Sequence, residues 1–193
     1  MKDLVAELRA SITATLLLAV LCGGIYPAVV WGVGQGFFSD KANGSLVRFN
    51  GKVVGSALIA QGFSGPPYFH PRPSAAGQGY DAVNSGGTNL GPTSKKLIED
   101  VKQRVAAYRA ENGLSSDTPV PADAVTSSAS GLDPHISVRN ALLQAARVAK
   151  ARGIGEKVLL ARIEAHTEGR TLGFLGEPRV NVLTLNLSLD GRM

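Results

Sequence analysis

The hydrophobic pattern divides the chain into two unequal parts. From Ala10 to Ser39 there is no Asp, Glu, Lys or Arg, and the centre of that stretch, ITATLLLAVLCGGIYPAVVWGV over Ile12 to Val33, is mostly apolar. At about 1.5 Å per residue this segment reaches about 33 Å as a helix, enough to cross the roughly 30 Å hydrocarbon layer of a bilayer. Tyr26 and Trp31 lie toward its far end, where amphipathic rings favour the interface, and Pro27 predicts a kink. The alternative is a cleaved signal peptide, but such cores are shorter, about 7–15 residues, and no Ala-x-Ala site follows here. The expectation is a cytoplasmic tail over residues 1–11, a retained transmembrane helix over 12–33 and a soluble domain over 40–193.

After the span, two β-prone runs flank Asn50-Gly51. That pair predicts a type I′ hairpin, because both central residues of the turn need positive φ. The Gly-, Pro- and Ser-rich residues 62–92 have no regular period and read as a long loop, a length that usually signals function or disorder. Helical spacing begins in TSKKLIEDVKQRVAAYRAENG, with Leu97, Ile98, Val101, Val105 and Tyr108 on one face, Asp100 four residues before Arg104, and Gly113 as a stop. A second helix after Asp133-Pro134 carries Val138, Leu142, Ala145 and Ala149 as its stripe and ends at Gly153. A third, EKVLLARIEAHTEG, turns Leu159, Leu160 and Ile163 to one side and stops at Gly169. In VNVLTLNLSLD, Leu183, Leu185, Leu187 and Leu189 alternate with Thr184, Asn186 and Ser188, the pattern of a half-buried strand. Strands at both ends with helices between predict an α+β domain with a small mixed sheet and about three helices.

Charge and cysteine content narrow this picture. Cys22 is the only cysteine and lies within the span, so neither an intrachain disulfide nor a thiolate metal site is available. The net charge of +5 is matched by one stretch, in which Arg139, Arg147, Lys150, Arg152, Lys157 and Arg162 face only Glu156. Such a stretch suits a solvated helix face, anionic lipid or an acidic partner. Nucleic acid is disfavoured, because no aromatics interleave with these cations and the chain is membrane-anchored. Lys2 and Arg9 are offset by Asp3 and Glu7, while Lys41, Arg48 and Lys52 follow the span, so loop charge does not orient it. A short tail, one span and a long domain is the common plan of an outward-facing anchored domain.

The stretch QGFSGPPYFHPRPSA, from Gln61 to Ala75, concentrates the candidate chemistry. Its prolines restrict the chain to extended conformations and would present Tyr68, Phe69, His70 and Arg72 at low ordering cost, as a docking surface or as an internal strut. A triad of His70, Asp81 and Ser74 or Ser85 lacks any supporting motif. His70, His135 and His166 are spaced too widely to signal a metal site. In SGGTNLGPTSKK, Gly86 and Gly91 have the spacing of a phosphate-binding loop, but Pro92 stands where a lysine is needed. Ser85, Gly86 and Gly87 are therefore weak nucleotide candidates.

Several blocks occur in order behind the span: GSALIAQGFSGPPYFHPRPSA, GYDAVNSGGTNLGP, TSSASGLDPHIS, RVAKARG and HTEGRTLGFLGEPRVNVLTLNLSLD. Together they resemble the KdpC subunit family of potassium-transporting ATPases over nearly the whole chain. The resemblance implies an accessory, non-catalytic subunit of a bacterial high-affinity potassium import complex. Its partners there are a channel-like potassium subunit, a P-type ATPase subunit, a small single-span subunit and the lipid bilayer. The chain has no Asp-Lys-Thr-Gly-Thr phosphorylation motif and no Thr-Val-Gly-Tyr-Gly filter, so ATP is expected only through the ATPase subunit, with no intrinsic cofactor. Two roles follow from the family. One is assembly, with docking through Tyr68, Phe69, His70, Arg72, Asp133 and His135 and helix packing at Gly23, Gly24, Pro27 and Gly32. The other is a catalytic chaperone that raises the ATP affinity of the ATPase subunit in a transient ternary complex. The implied location is the inner membrane, single-pass, with the domain extracytoplasmic.

Overall fold

Helix α1 (Lys2–Val20) runs through a π-helical turn (Leu21–Ile25) into α2 (Tyr26–Phe37). The computed structural model of the protein describes residues 2–191. Pro27 accounts for the π-helical turn: it has no N–H, and its ring would strike the carbonyl one helical turn earlier. The widened turn pairs Tyr26 N–H with Leu21 O and leaves Pro27 in the first turn of α2, where no N–H is needed. Thr15 Oγ1 donates to Ser11 O at 2.7 Å, so this hydroxyl needs no partner from outside the helix. Within the helix from Asp3 to Phe37 the most apolar window has a mean hydropathy of 2.1, and none of that window is buried. The first of two compact units ends at Ser45 and includes a short helix, α3 (Ser39–Ala42); the second begins at Leu46.

The second unit opens on strands β1 (Leu46–Phe49) and β2 (Lys52–Ser56), paired antiparallel with Phe49 opposite Lys52. Asn50 and Gly51 join them at φ 49 and 76, the two positive values that a type I′ turn requires. Residues 57–94 contain no helix or strand and lead to α4 (Lys95–Glu111), capped by Ser94 Oγ. Asp100 pairs backward with Lys96 at 3.0 Å, while Arg104 turns to Val125 O at 3.1 Å. A short 3-10 turn (Ala122–Ala124) and β3 (His135–Ser137) precede α5 (Val138–Arg152). Asp123 fixes this junction, accepting from Ser137 N at 2.8 Å, Ser137 Oγ at 2.8 Å and Asn140 Nδ2 at 2.9 Å. Gly153 closes α5 in the left-handed conformation, and α6 (Glu156–Ala165) follows, giving way at Thr167 to β4 (Thr167–Glu168).

The class is α+β, as the sequence predicts, but two details differ. Both sheets are antiparallel rather than mixed: β1 with β2, and β5 (Arg179–Asn181) between β3 and β4. The expected carboxy-terminal strand is strand only as far as Asn181, after which Val182–Leu189 form helix α7, so the described residues of the unit form four α-helices rather than about three. Leucine favours helix over strand. Leu183, Leu185 and Leu187 are buried together with Asn186 and Ser188, so the alternation does not separate a core face from a solvent face. Asn181 caps the helix by accepting from Thr184 N. The core joins Phe69, Ile136, Ala141, Ala145, Val148, Leu159, Ile163, Val180, Val182 and Leu185. On α5 the buried stripe is thus shifted from the predicted one, and Leu142 remains 47% exposed.

Candidate docking region around the proline-rich strap

The strap from Gly65 to Pro73 is bonded inward. Phe69 is fully buried in the core, and its backbone is held by Asn186, whose Oδ1 accepts Phe69 N–H and whose Nδ2 donates to Phe69 O, both at 2.9 Å. Gln144 treats His70 alike, accepting its N–H at 2.7 Å and donating to its carbonyl at 3.1 Å. Two buried amides thus stand in for neighbouring strands, satisfying backbone groups that a proline-rich segment cannot pair within a sheet. Two arginines of α5 complete the clamp. Arg147 donates to Pro66 O at 2.8 Å, Tyr68 O at 3.0 Å, Asn112 Oδ1 at 3.0 Å and Gln144 Oε1 at 2.9 Å. Burial draws its pKa below the usual arginine value. Arg152 donates to Pro67 O at 2.6 Å and to Asp190, with its guanidinium 5.0 Å from the Tyr68 ring centre.

This placement removes Phe69 from the expected presented surface, while Tyr68, His70 and Arg72 are partly exposed. Phe69 is a core residue, because the inward-facing backbone of the strap carries its side chain under α5 and α7. Tyr68 leans on Phe63 and Arg152. Both ring nitrogens of His70 are engaged, Nε2 with Gly65 O at 2.9 Å and Nδ1 with Glu111 at 3.0 Å. Ser74 Oγ donates to Gly131 O at 2.6 Å and Asp81 receives Val83 N–H and Asn84, so no triad with His70 forms.

Arg72 joins the strap to the SGLDPHIS turn. Its guanidinium meets Asp133 at 2.8 Å, and Asp133 also accepts the backbone N–H of His135 at 3.0 Å. His135 lies between two carboxylates, 3.5 Å from Asp133 and 3.6 Å from Glu168, and Glu168 in turn pairs with Arg179 at 3.0 Å. The His135 side chain, then its backbone N–H and Arg72, hold the Asp133 carboxyl at about 2, against the opposing effect of partial burial. Asp133 and His135 are partly exposed, whereas the acids and bases around them are already paired.

The Gly-rich loop is also occupied. Ser85 Oγ and Gly86 N–H both donate to Ser130 O, at 3.0 and 2.9 Å. A Cβ on Gly87 would lie 3.0 Å from Ala129 O. The Gly86 amide a phosphate would need is therefore engaged with the protein itself. Among the described residues no cluster of three or more His, Cys, Asp or Glu is placed to hold a metal ion.

Gly23 and Gly24, within the π-helical turn, and Gly32 have nothing within 4 Å of an added Cβ, so they open gaps on the helix surface. The first two line one shallow hollow with Leu16, Ala19, Val20, Ile25 and Ala28.

The residues that sequence reading missed are the holders of the strap: Gln144, Arg147, Arg152 and Asn186. The basic stretch reads as a solvated face, yet two of its arginines cap strap carbonyls. The available signal was polar Asn140 and Gln144 on the buried side of an alanine-rich helix, since buried polar groups require partners.

A family described as KdpC: K+-transporting ATPase, c chain, matches residues 8–191. A Potassium-transporting ATPase KdpC subunit of Mycobacterium bovis (strain BCG / Pasteur 1173P2) is 58% identical, with 95% of this chain and 97% of the relative covered. Proteins of the same description from Koribacter versatilis and Caulobacter vibrioides are 55% and 54% identical, covering 96% and 98% of this chain and 94% and 95% of theirs.

Proposed function

Because the chain belongs to the KdpC family of K+-transporting ATPase c chains, we propose that it is a non-catalytic assembly subunit of a potassium import complex. In this reading its single span packs among the helices of the channel-like, P-type ATPase and small single-span subunits. The domain stands on the extracytoplasmic side of the inner membrane and braces the channel-like subunit.

The supporting observation is the long helix itself, 35 residues long, free of charged side chains from Ala10 onward and unburied in its most apolar window. Gly23, Gly24 and Ala28 make a hollow at the π-helical turn, where a partner helix can approach closely. The catalytic-chaperone reading has less support, since Gly86 N–H is bonded to Ser130 O.

The test combines packing and topology. Gly23→Ile with Gly24→Ile should reduce co-purification of the other subunits while the domain remains folded; full assembly would remove the hollow from the interface. Ser116 is exposed. In a Cys22→Ser background, Ser116→Cys should react with a membrane-impermeant maleimide in intact cells. Protection until lysis would place the domain inside and revive the chaperone reading.

A further inference from the structure

Every residue from 168 to 179 is exposed, forming an arm that links β4 to β5. Thr171 and Leu175 exchange backbone hydrogen bonds of 2.9 Å in both directions, and Arg170 Nη2 donates to Glu177 Oε2 at 2.7 Å across the neck. Beyond the neck the tip carries Leu172, Phe174 and Leu175, which are 79%, 67% and 49% exposed. Residues 171–176 contain no charge. Leu172 sits at φ 55, a left-handed conformation costing a non-glycine residue about 1 kcal/mol. The turn therefore displays a large apolar side chain at a position glycine would occupy without strain.

We propose that this arm is a membrane-contact finger: Leu172, Phe174 and Leu175 enter the interfacial layer of the bilayer that holds the long helix, giving the domain a second grip on lipid. The tip suits lipid better than a protein crevice for three reasons. The interfacial layer, unlike hydrocarbon, still hydrates backbone carbonyls, and amides paired within the segment lower the cost of entering it. Here Thr171 N–H and Leu175 N–H are paired with each other's residues, Gly173 N–H with Arg170 O at 3.1 Å and Phe174 N–H with Thr171 O at 3.3 Å. Glu177 already neutralises Arg170, so lowering the tip strips water from no lone charge. Finally, only residues 38–45 separate α2 from β1, a reach of at most about 29 Å. The tether keeps the domain beside the membrane, where even three apolar side chains partition effectively.

The finger goes beyond the assembly role and depends only on the long helix being in the bilayer. The test uses the full chain in phosphatidylcholine nanodiscs containing a mixture of lipids spin-labelled near the headgroup, which report on the arm, and lipids spin-labelled near the end of the acyl chain, which report on Cys22 at the centre of the span. A nitrobenzoxadiazole probe is placed on Cys22 of the otherwise unchanged chain, or, in Cys22→Ser, on Phe174→Cys or Ser116→Cys. The expected result is quenching of the probe at 174 at least about twofold stronger than at 116, lost when Leu172 and Leu175 are changed to Asp. Quenching at Cys22 with none above the Ser116 level at 174 would leave the span standing and overturn the finger. Shielding at 174 that arises only when the other subunits are added, without lipid quenching, would assign the arm to a protein contact and also overturn it. An unquenched Cys22 would remove the span and the finger together.

Discussion

Asn186 holds the backbone of Phe69 by both of its polar groups, N–H and C=O, through two hydrogen bonds of 2.9 Å between residues 117 apart in the chain. Both residues are fully buried, so neither bond has water as a ready substitute. Asn186→Leu keeps the approximate volume and strands both groups of Phe69. The expected cost is about 2–6 kcal/mol, at one to three per stranded group, read as a lower denaturant midpoint for the full chain in detergent. A loss below about 1 kcal/mol would mean that the strap re-pairs elsewhere.

Phe69 is an anchor for the strap from inside. Phe69→Ala should destabilise the domain by about 3–5 kcal/mol, and any loss of complex should follow the loss of folded protein. Ser64, immediately before the strap, is exposed. Ser64→Arg should leave stability within about 0.5 kcal/mol. A complex lost in Phe69→Ala while the domain keeps its wild-type denaturation midpoint would restore the presented-surface reading.

Glycine matters most where chain meets chain. Gly131 has φ 68, and a Cβ there would lie 2.7 Å from Ala76 N and 2.8 Å from Gly86 O. At Gly51, with φ 76, a Cβ would meet nothing within 4 Å. Gly51→Ala should cost about 1 kcal/mol from backbone strain alone. Gly131→Ala should cost clearly more and should increase hydrogen exchange at the Gly86 amide. Equal melting shifts for the two variants would contradict the close packing of the Gly-rich loop.

Acid should loosen the junction at Asp133. Its folded pKa, about 2, lies below the ordinary 3.8, held there first by the His135 side chain. A depressed folded value contributes stability above the unfolded pKa, and that contribution is lost as pH falls from about 4 toward 2. Allowing for partial exposure, the amount is about 1–2 kcal/mol. Asp133→Asn should therefore melt below the parent at pH 6, with the two converging near pH 2. A gap that stays constant over this range would show that Asp133 contributes through shape rather than charge.

Local pattern settles those parts of this protein whose energetics are local. Thirty uncharged residues from Ala10 to Ser39 have no economical place outside a bilayer or a protein core. Asn50-Gly51 specifies its own turn because the φ values it needs belong to those two residues. The helices over 95–111, 138–152 and 156–165 follow from periodicity and their stops, and the ordered blocks along the chain are sufficient to suggest the family. Tertiary structure decided the rest. Eight residues of alternating leucine fit a strand or a helix equally until burial on several sides, with Asn181 as cap, selects the helix. The strap could face outward or inward on composition alone. It faces inward because Gln144, Arg147, Arg152 and Asn186, all distant in sequence, supply the donors and acceptors its backbone lacks. No local pattern encodes that pairing, since it exists only once α5 and α7 both meet the strap.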